Sequence, residues 1–150
     1  MSDNSIREQI ILQFKSELEE IESINSVQRI RPSLDGLTNF ASSQLPLIAF
    51  ETGLPVPVQK RSSRIQGNVD IFVSDLNVNV FCYALENVNP DSKISNLADD
   101  LWKKIYSDPR HNNLCLATNI DTHIEAAIWH PYIVFGFKVI LQYTHTSGGI

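Results

Sequence analysis

The stretch Tyr132-Ile133-Val134-Phe135-Gly136-Phe137-Lys138-Val139-Ile140-Leu141-Gln142-Tyr143 decides how this chain folds. Ile133, Phe135, Phe137, Val139, Leu141 and Tyr143 share one parity and are all apolar, whereas Lys138, Gln142 and, just beyond, Thr144 fall on the other. Successive side chains of an extended backbone point to opposite sides, so this period of two predicts a long strand with one buried face. Tyr132, Val134 and Ile140 make parts of the second face apolar too, which predicts a central strand or one whose outer face meets another subunit. From about residue 145 the chain runs out into Ser147, Gly148 and Gly149, too little apolar content to fold alone, and is expected to be a flexible tail.

Upstream, Val69, Ile71 and Val73 alternate in one parity and Leu76, Val78, Val80 and Cys82 in the other. The slip of one residue at Ser74 and Asp75 predicts a single long strand to about Tyr83 with a β-bulge in it, because Ser-Asp without glycine makes a poor two-residue hairpin turn. Leu45 to Glu51 reads as another strand with Pro46 at its start, and Val27 to Arg31 as a short one ending at Pro32. Ser33 to Gln44 reads as a loop. Leu114 to Ala117 and Ile120 to Ile128 are two weaker strand candidates, with Trp129, His130 and Pro131 turning the chain into the long final strand.

Two helices complete the pattern. Ser5 to Glu8 has the Ser-x-x-Glu form of a capping box, and Ile6, Ile10, Phe14, Leu18 and Ile21 follow at helical spacing, which predicts an amphipathic helix over about 5–23. Asp91 or Ser92 is expected to cap the second, whose stripe is Ile94, Leu97, Ala98, Leu101 and Ile105 and whose end is set by Asp108 and Pro109. Trp102 lies beside that stripe at the rim of the core. The order of elements predicts an α+β fold, a mixed, mostly antiparallel sheet with two main helices packed on one face, in one domain of 150 residues.

Composition sets limits on function. A net charge of −5 and a pI near 5.3 argue against a general nucleic-acid binder, though not against a local basic patch. The start of the chain lacks the basic-then-apolar order of a signal peptide, and the longest apolar stretch, 126–141, is broken by His130, Pro131 and Lys138 and does not read as a membrane helix; residence in the cytosol is the simplest inference. Cys82 and Cys115 form no Cys-x-x-Cys and read as buried free thiols in strand contexts.

The charge pattern offers two candidate partner surfaces. Residues 52–68, expected to be a long loop or hairpin arm, hold Lys60, Arg61 and Arg64 with no acidic residue. That arm is either a solvated loop or one ordered by an acidic protein or by nucleic acid. Glu19, Glu20 and Glu22 crowd the carboxyl end of the first helix, where the helix dipole disfavours negative charge, so that end frays unless a basic group lies opposite. The chain has no phosphate-binding glycine loop, no dinucleotide fingerprint, no His-Glu-x-x-His and no nucleophile elbow. The histidines show no helical pairing, and Asp99 and Asp100 are expected to pair with Lys103 and Lys104 on the second helix rather than to act as an acid–base couple. No catalytic or metal-binding residue and no cofactor is expected.

The order of elements, with "LPLIAF" at 45–50, "LNVNVFCYA" at 76–84, "ISNLADDLWKKIYSD" at 94–108, "NNLCLATNID" at 112–121 and "FGFKVILQYTH" at 135–145, resembles the tail terminator or tail-completion proteins of tailed bacteriophages. The resemblance covers most of the chain through pattern and order, without an invariant motif. It implies a non-enzymatic virion protein of the neck, assembled in the host cytoplasm. Subunits would form a hexameric ring on the last ring of the tail tube protein, stop its polymerisation and present a surface to the head-completion or connector protein. Ring closure by identical subunits requires heterologous interfaces, for which the arm (Lys60, Arg61, Arg64) and the helix end (Glu19, Glu20, Glu22) are the candidate patches. The arm's cations are alternatively placed to meet DNA in the lumen. A head–tail connector is the nearest alternative role, and a protein-binding module outside any phage a further one.

Overall fold

A computed structural model describes residues 5–30, 44–63, 69–86, 88–129 and 132–146, without the side chains of 61–63, 69–70 and 122–129. The elements, in chain order, are α1 (Ile6–Glu19), β1 (Ser26–Gln28), β2 (Leu47–Thr52), β3 (Val56–Ser63), β4 (Val69–Leu85), α2 (Pro90–Ser107), β5 (Ala117–Trp129) and β6 (Tyr132–Thr146). The fold is α+β: a six-stranded sheet in the order β1-β2-β4-β6-β5, antiparallel except for the β1–β2 pair, with β3 joined to the first half of β4.

The final strand is central, as its two-sided apolarity predicts. It pairs with β4 in one unbroken register from Ile71↔Thr146 to Leu85↔Tyr132. One face of that ladder presents Leu76, Val78, Val80 and Cys82 beside Ile133, Phe135, Phe137, Val139, Leu141 and Tyr143. Ile10, Phe14 and Leu18 of α1 and Leu97, Leu101 and Ile105 of α2 close the core over them. Both helices keep their apolar stripe because residues three and four apart share a helix face. On the other face Leu45, Leu47, Ala49, Phe81, Tyr83 and Val134 form a second buried cluster. Strand β2 is therefore buried on both sides over Leu47–Phe50.

The unbroken register removes the expected bulge from β4. The irregularity lies in β3 instead, between Pro57 and Gln59. The sequence slip at Ser74 has a chemical origin: Ser74 stays on the helix-side face, fully buried, because its Oγ is 2.8 Å from Nε2 of His145. Phe72 and Tyr143 flank the same imidazole, with ring centroids at 5.6 and 5.4 Å. A polar pair thus occupies core positions where the pattern leads one to expect aliphatic residues. His145 and Thr146 belong to β6, so the strand runs past the point where the tail is expected to begin; residues 147–150 lie outside the described part.

Other boundaries shift for local reasons. Ser5 Oγ accepts the Glu8 N–H as a cap should, but the Glu8 carboxylate, instead of completing the box, takes two hydrogen bonds from Arg29 at 2.6 and 3.1 Å. Helix α1 ends at Glu19, short of the predicted Ser23, and the chain dips inward through Ile21 and Ile24. Pro90 opens α2 as the first helical residue, where its missing N–H costs nothing; Asn89 precedes it and supplies no side-chain cap. The Glu86 carboxylate accepts the N–H groups of Val88 and Asn89 just upstream. Strand β5 is one strand rather than two, with register shifts between Ile120 and Glu125, and Ile120 N donates to the Tyr106 hydroxyl of α2. The predicted loop at 33–44 falls almost wholly outside the described residues, as do His130 and Pro131 of the last turn.

Gly136 sits where β6 crosses Phe81. A Cβ there would lie 2.8 and 3.0 Å from ring atoms of Phe81 and 3.2 Å from the Val80 carbonyl oxygen. Gly136→Ala is expected to destabilise the fold by about 1–3 kcal/mol through overpacking, read as a lower urea midpoint at unchanged slope.

Candidate partner interface

The arm is a strand for most of its described length. Strand β3 pairs antiparallel with β4 from Val56↔Asp75 to Ser63↔Val69. Residues 56–60 are exposed on both strand faces, which means that neither side of this part of β3 packs on a core. The aliphatic side chains there are unusually open: Leu54 is 75% exposed, Val56 50% and Val58 52%. Lys60 is exposed on the same strand, Arg61 stands opposite Ile71 in the register, and Arg64 lies outside the described residues. Among the described residues no strand pairs with the outer edge of β3.

The acidic helix end is differently placed. Glu19 pairs with Lys15 one turn earlier, and Glu20 accepts from Lys104 of α2 at 2.6 Å. The basic group needed opposite the α1 terminus therefore comes from the same chain. Glu22 lines an open groove of about 510 Å³ with Ile21, Ser23, Asp100, Lys103 and Lys104. Asp99 and Lys103 form the predicted pair at 2.8 Å, whereas Asp100 accepts the Ser23 hydroxyl, because Lys104 is engaged with Glu20. Exposed pairs of this kind contribute little each, and their effect here is to fix the end of α1 against α2.

One buried polar centre escaped the sequence reading. The turn between α2 and β5 holds three consecutive left-handed residues, His111, Asn112 and Asn113, with φ of 47, 60 and 64°. Asn tolerates that region through local hydrogen bonding, and Asn112 N donates to Asp108 Oδ2 at 2.7 Å; His111 pays for it by reaching the core. There its Nδ1 is 2.7 Å from Glu17 Oε2 of α1, and its ring meets Phe14 edge-on. His111 is fully buried, so the pair is a tether between α1 and the turn and is sealed from any substrate. Only the run of two asparagines after a histidine hinted at the turn; nothing in the spacing linked position 111 to position 17. Glu17→Ala leaves the imidazole without its partner and is expected to cost about 1–3 kcal/mol of stability, measured by chemical denaturation, with His111→Phe recovering part of it.

Both cysteines are free and buried, Cys82 within β4 and Cys115 in the turn before β5 rather than in a strand. Burial pushes each thiol up to about 12; Lys93 slightly opposes this at Cys82, and Glu17 and Asp108 add to it at Cys115. Below the ordinary value of 9.0 both states hold the proton and stability is unaffected; above it the unfolded chain ionises first, so stability falls as pH rises from about 9 toward 12. Native protein is expected to resist thiol labelling at neutral pH and to label only on unfolding, and replacing both residues by Ala should flatten the alkaline loss in urea titrations.

No helix among the described residues is long and apolar enough to cross a membrane. Neither protein-family models nor curated proteins give a match to this chain.

Proposed function

We propose that this chain is a structural subunit of the tail-terminator kind: it closes into a ring on the head-proximal end of a phage tail tube, stops polymerisation and offers the surface on which the head attaches. The observation that carries the reading is the β3 arm, exposed on both faces over 56–60, where Val56 and Val58, with Leu54 just before the strand, stand open among the described residues. The arm is the outer strand of a sheet that continues through β4 to β6, so its backbone is held on one side while its described side chains stay exposed, and an assembly that covers them gives the arm its reason to exist. The strand-rich core behind it is rigid and buried on both faces of β2, a suitable base for a repeated ring contact. The order of elements and the sequence strings shared in pattern with tail-completion proteins supply the rest. In this role the protein is no enzyme and needs no cofactor; its partners are copies of itself, the tube protein and the head-completion protein, and it resides in the virion neck.

Electron microscopy of tails assembled with and without the protein tests this. Tubes of uniform length carrying a terminal ring only when the protein is present are expected. Tubes of normal length that fail to join heads without it would transfer the assignment to a head–tail connector, and no effect on either step would remove both.

A further inference from the structure

Strands β2 and β3 follow one another along the same side of β4, and the register slips between them. Thr52 stands opposite Val78 and Val56 opposite Asp75, so three residues of the outer strand, Gly53, Leu54 and Pro55, span two of β4, Leu76 and Asn77. An extra residue on one side of an antiparallel pair bends and twists the strand that carries it. This break is where the arm departs from the line of β2. Pro55 has no N–H to pair across it, and the Gly53 N–H donates to Asn77 O at 3.4 Å, a long bond. Arg7 reaches the break from α1. Its Nε and Nη2 donate to Gly53 O at 3.2 and 3.1 Å, and Nη2 also donates to Thr52 Oγ1 at 2.9 Å. Arg7 stands in the first turn of α1, where the helix dipole disfavours a cation. A charge at that unfavourable place, directed at a backbone carbonyl 46 residues away, breaks a local rule for the sake of a distant contact.

We infer that Arg7 is the positioning residue of the arm: by holding the break it sets the direction in which β3 leaves the sheet, and with it how Leu54, Val56 and Val58 are presented to a partner. The latch follows from the geometry alone, whereas its bearing on assembly rests on the arm-covering role proposed above. Packing around Gly53 does not hold the break, since a Cβ added there would meet nothing within 4 Å. Pairing with β4 fixes which residues face one another on either side, but a bulge admits a range of bends between them. The guanidinium is a planar fork that sets direction as well as distance, so it selects one of those bends. Its own position is fixed from two sides. Ile10, Phe14 and Leu18 seat α1 in the core, and Arg29 holds Glu8, the next residue along, through two hydrogen bonds. Arg7 thus carries the placement of the core out to a strand whose side chains over 56–60 are exposed.

Peptide-resolved hydrogen exchange of the full chain tests the latch. Arg7→Ala removes the fork, and Thr52→Val removes one of its acceptors while keeping a β-branched side chain in the strand. Arg7→Ala is expected to speed exchange of the segment 53–60 by at least about fivefold and Thr52→Val by less, with α1 beyond Ile10 and the β4–β6 ladder at wild-type rates. If Arg7→Ala does not fold, Thr52→Val carries the test. A segment 53–60 that exchanges at the wild-type rate would overturn the positioning role. Equal acceleration through α1, β2 and the arm would overturn it as well, because Arg7 would then stabilise the whole fold and not the break. Tail assembly separates the latch from the proposed function. Faster exchange of 53–60 with normal capping of tails by Arg7→Ala would keep the latch and remove the arm from the capping role; capping lost with the arm's exchange unchanged would reject the latch and keep that role.

Discussion

The β4–β6 ladder is the constraint on which the rest of the structure depends. Fifteen residue pairs in one register fix which side of every strand faces the helices, since a slip of one residue would turn the whole apolar set outward. Strands β2 and β3 read their positions from β4, and β5 reads its from β6. Close contact at Gly136, where Phe81 leaves no room for a Cβ, reinforces that register at its middle.

Two polar pairs refine what the ladder begins. Ser74 and His145 fill the helix-side face near the strand ends, where aliphatic residues give way, and Glu17 with His111 ties α1 to the turn before β5. Both are buried, and misplacing either helix or strand would leave stranded a further polar atom besides His111 Nε2, which is buried with no hydrogen-bond partner among the described residues. Such pairs penalise alternative packings more than they stabilise the native one. At the surface, Arg29 with Glu8 and Lys104 with Glu20 do lighter work, holding the two ends of α1.

Strand parity and helical stripes carried the fold. Ile133 to Tyr143 announced a central strand, and Leu97, Leu101 and Ile105 a helix face, because burial imposes a period that the residues must follow. What the sequence concealed were contacts between distant positions. The parity change at Ser74 resembled a backbone bulge until His145, on another strand, was seen to receive its hydroxyl. Glu8 had the spacing of a capping partner and was drawn instead to Arg29. The acidic end of α1 looked in need of an outside cation, yet Lys104, far along the chain, was its neighbour. The basic arm was visible as charge, whereas the sheet order that sets β3 beside β4 and β5 beyond β6 was not.

The molecule thus combines a core buried on both faces of β2 with an arm whose described side chains are exposed, and in the proposed role assembly covers that arm. Native-state hydrogen exchange, compared between dilute protein and the associated form, tests this most directly. Amides of β4 and β6 should be the slowest in both forms, while those of β3 should exchange quickly when dilute and slow markedly on association. If β3 were as protected as β6 in the dilute protein, or unchanged on association, the arm would not be the element that assembly completes.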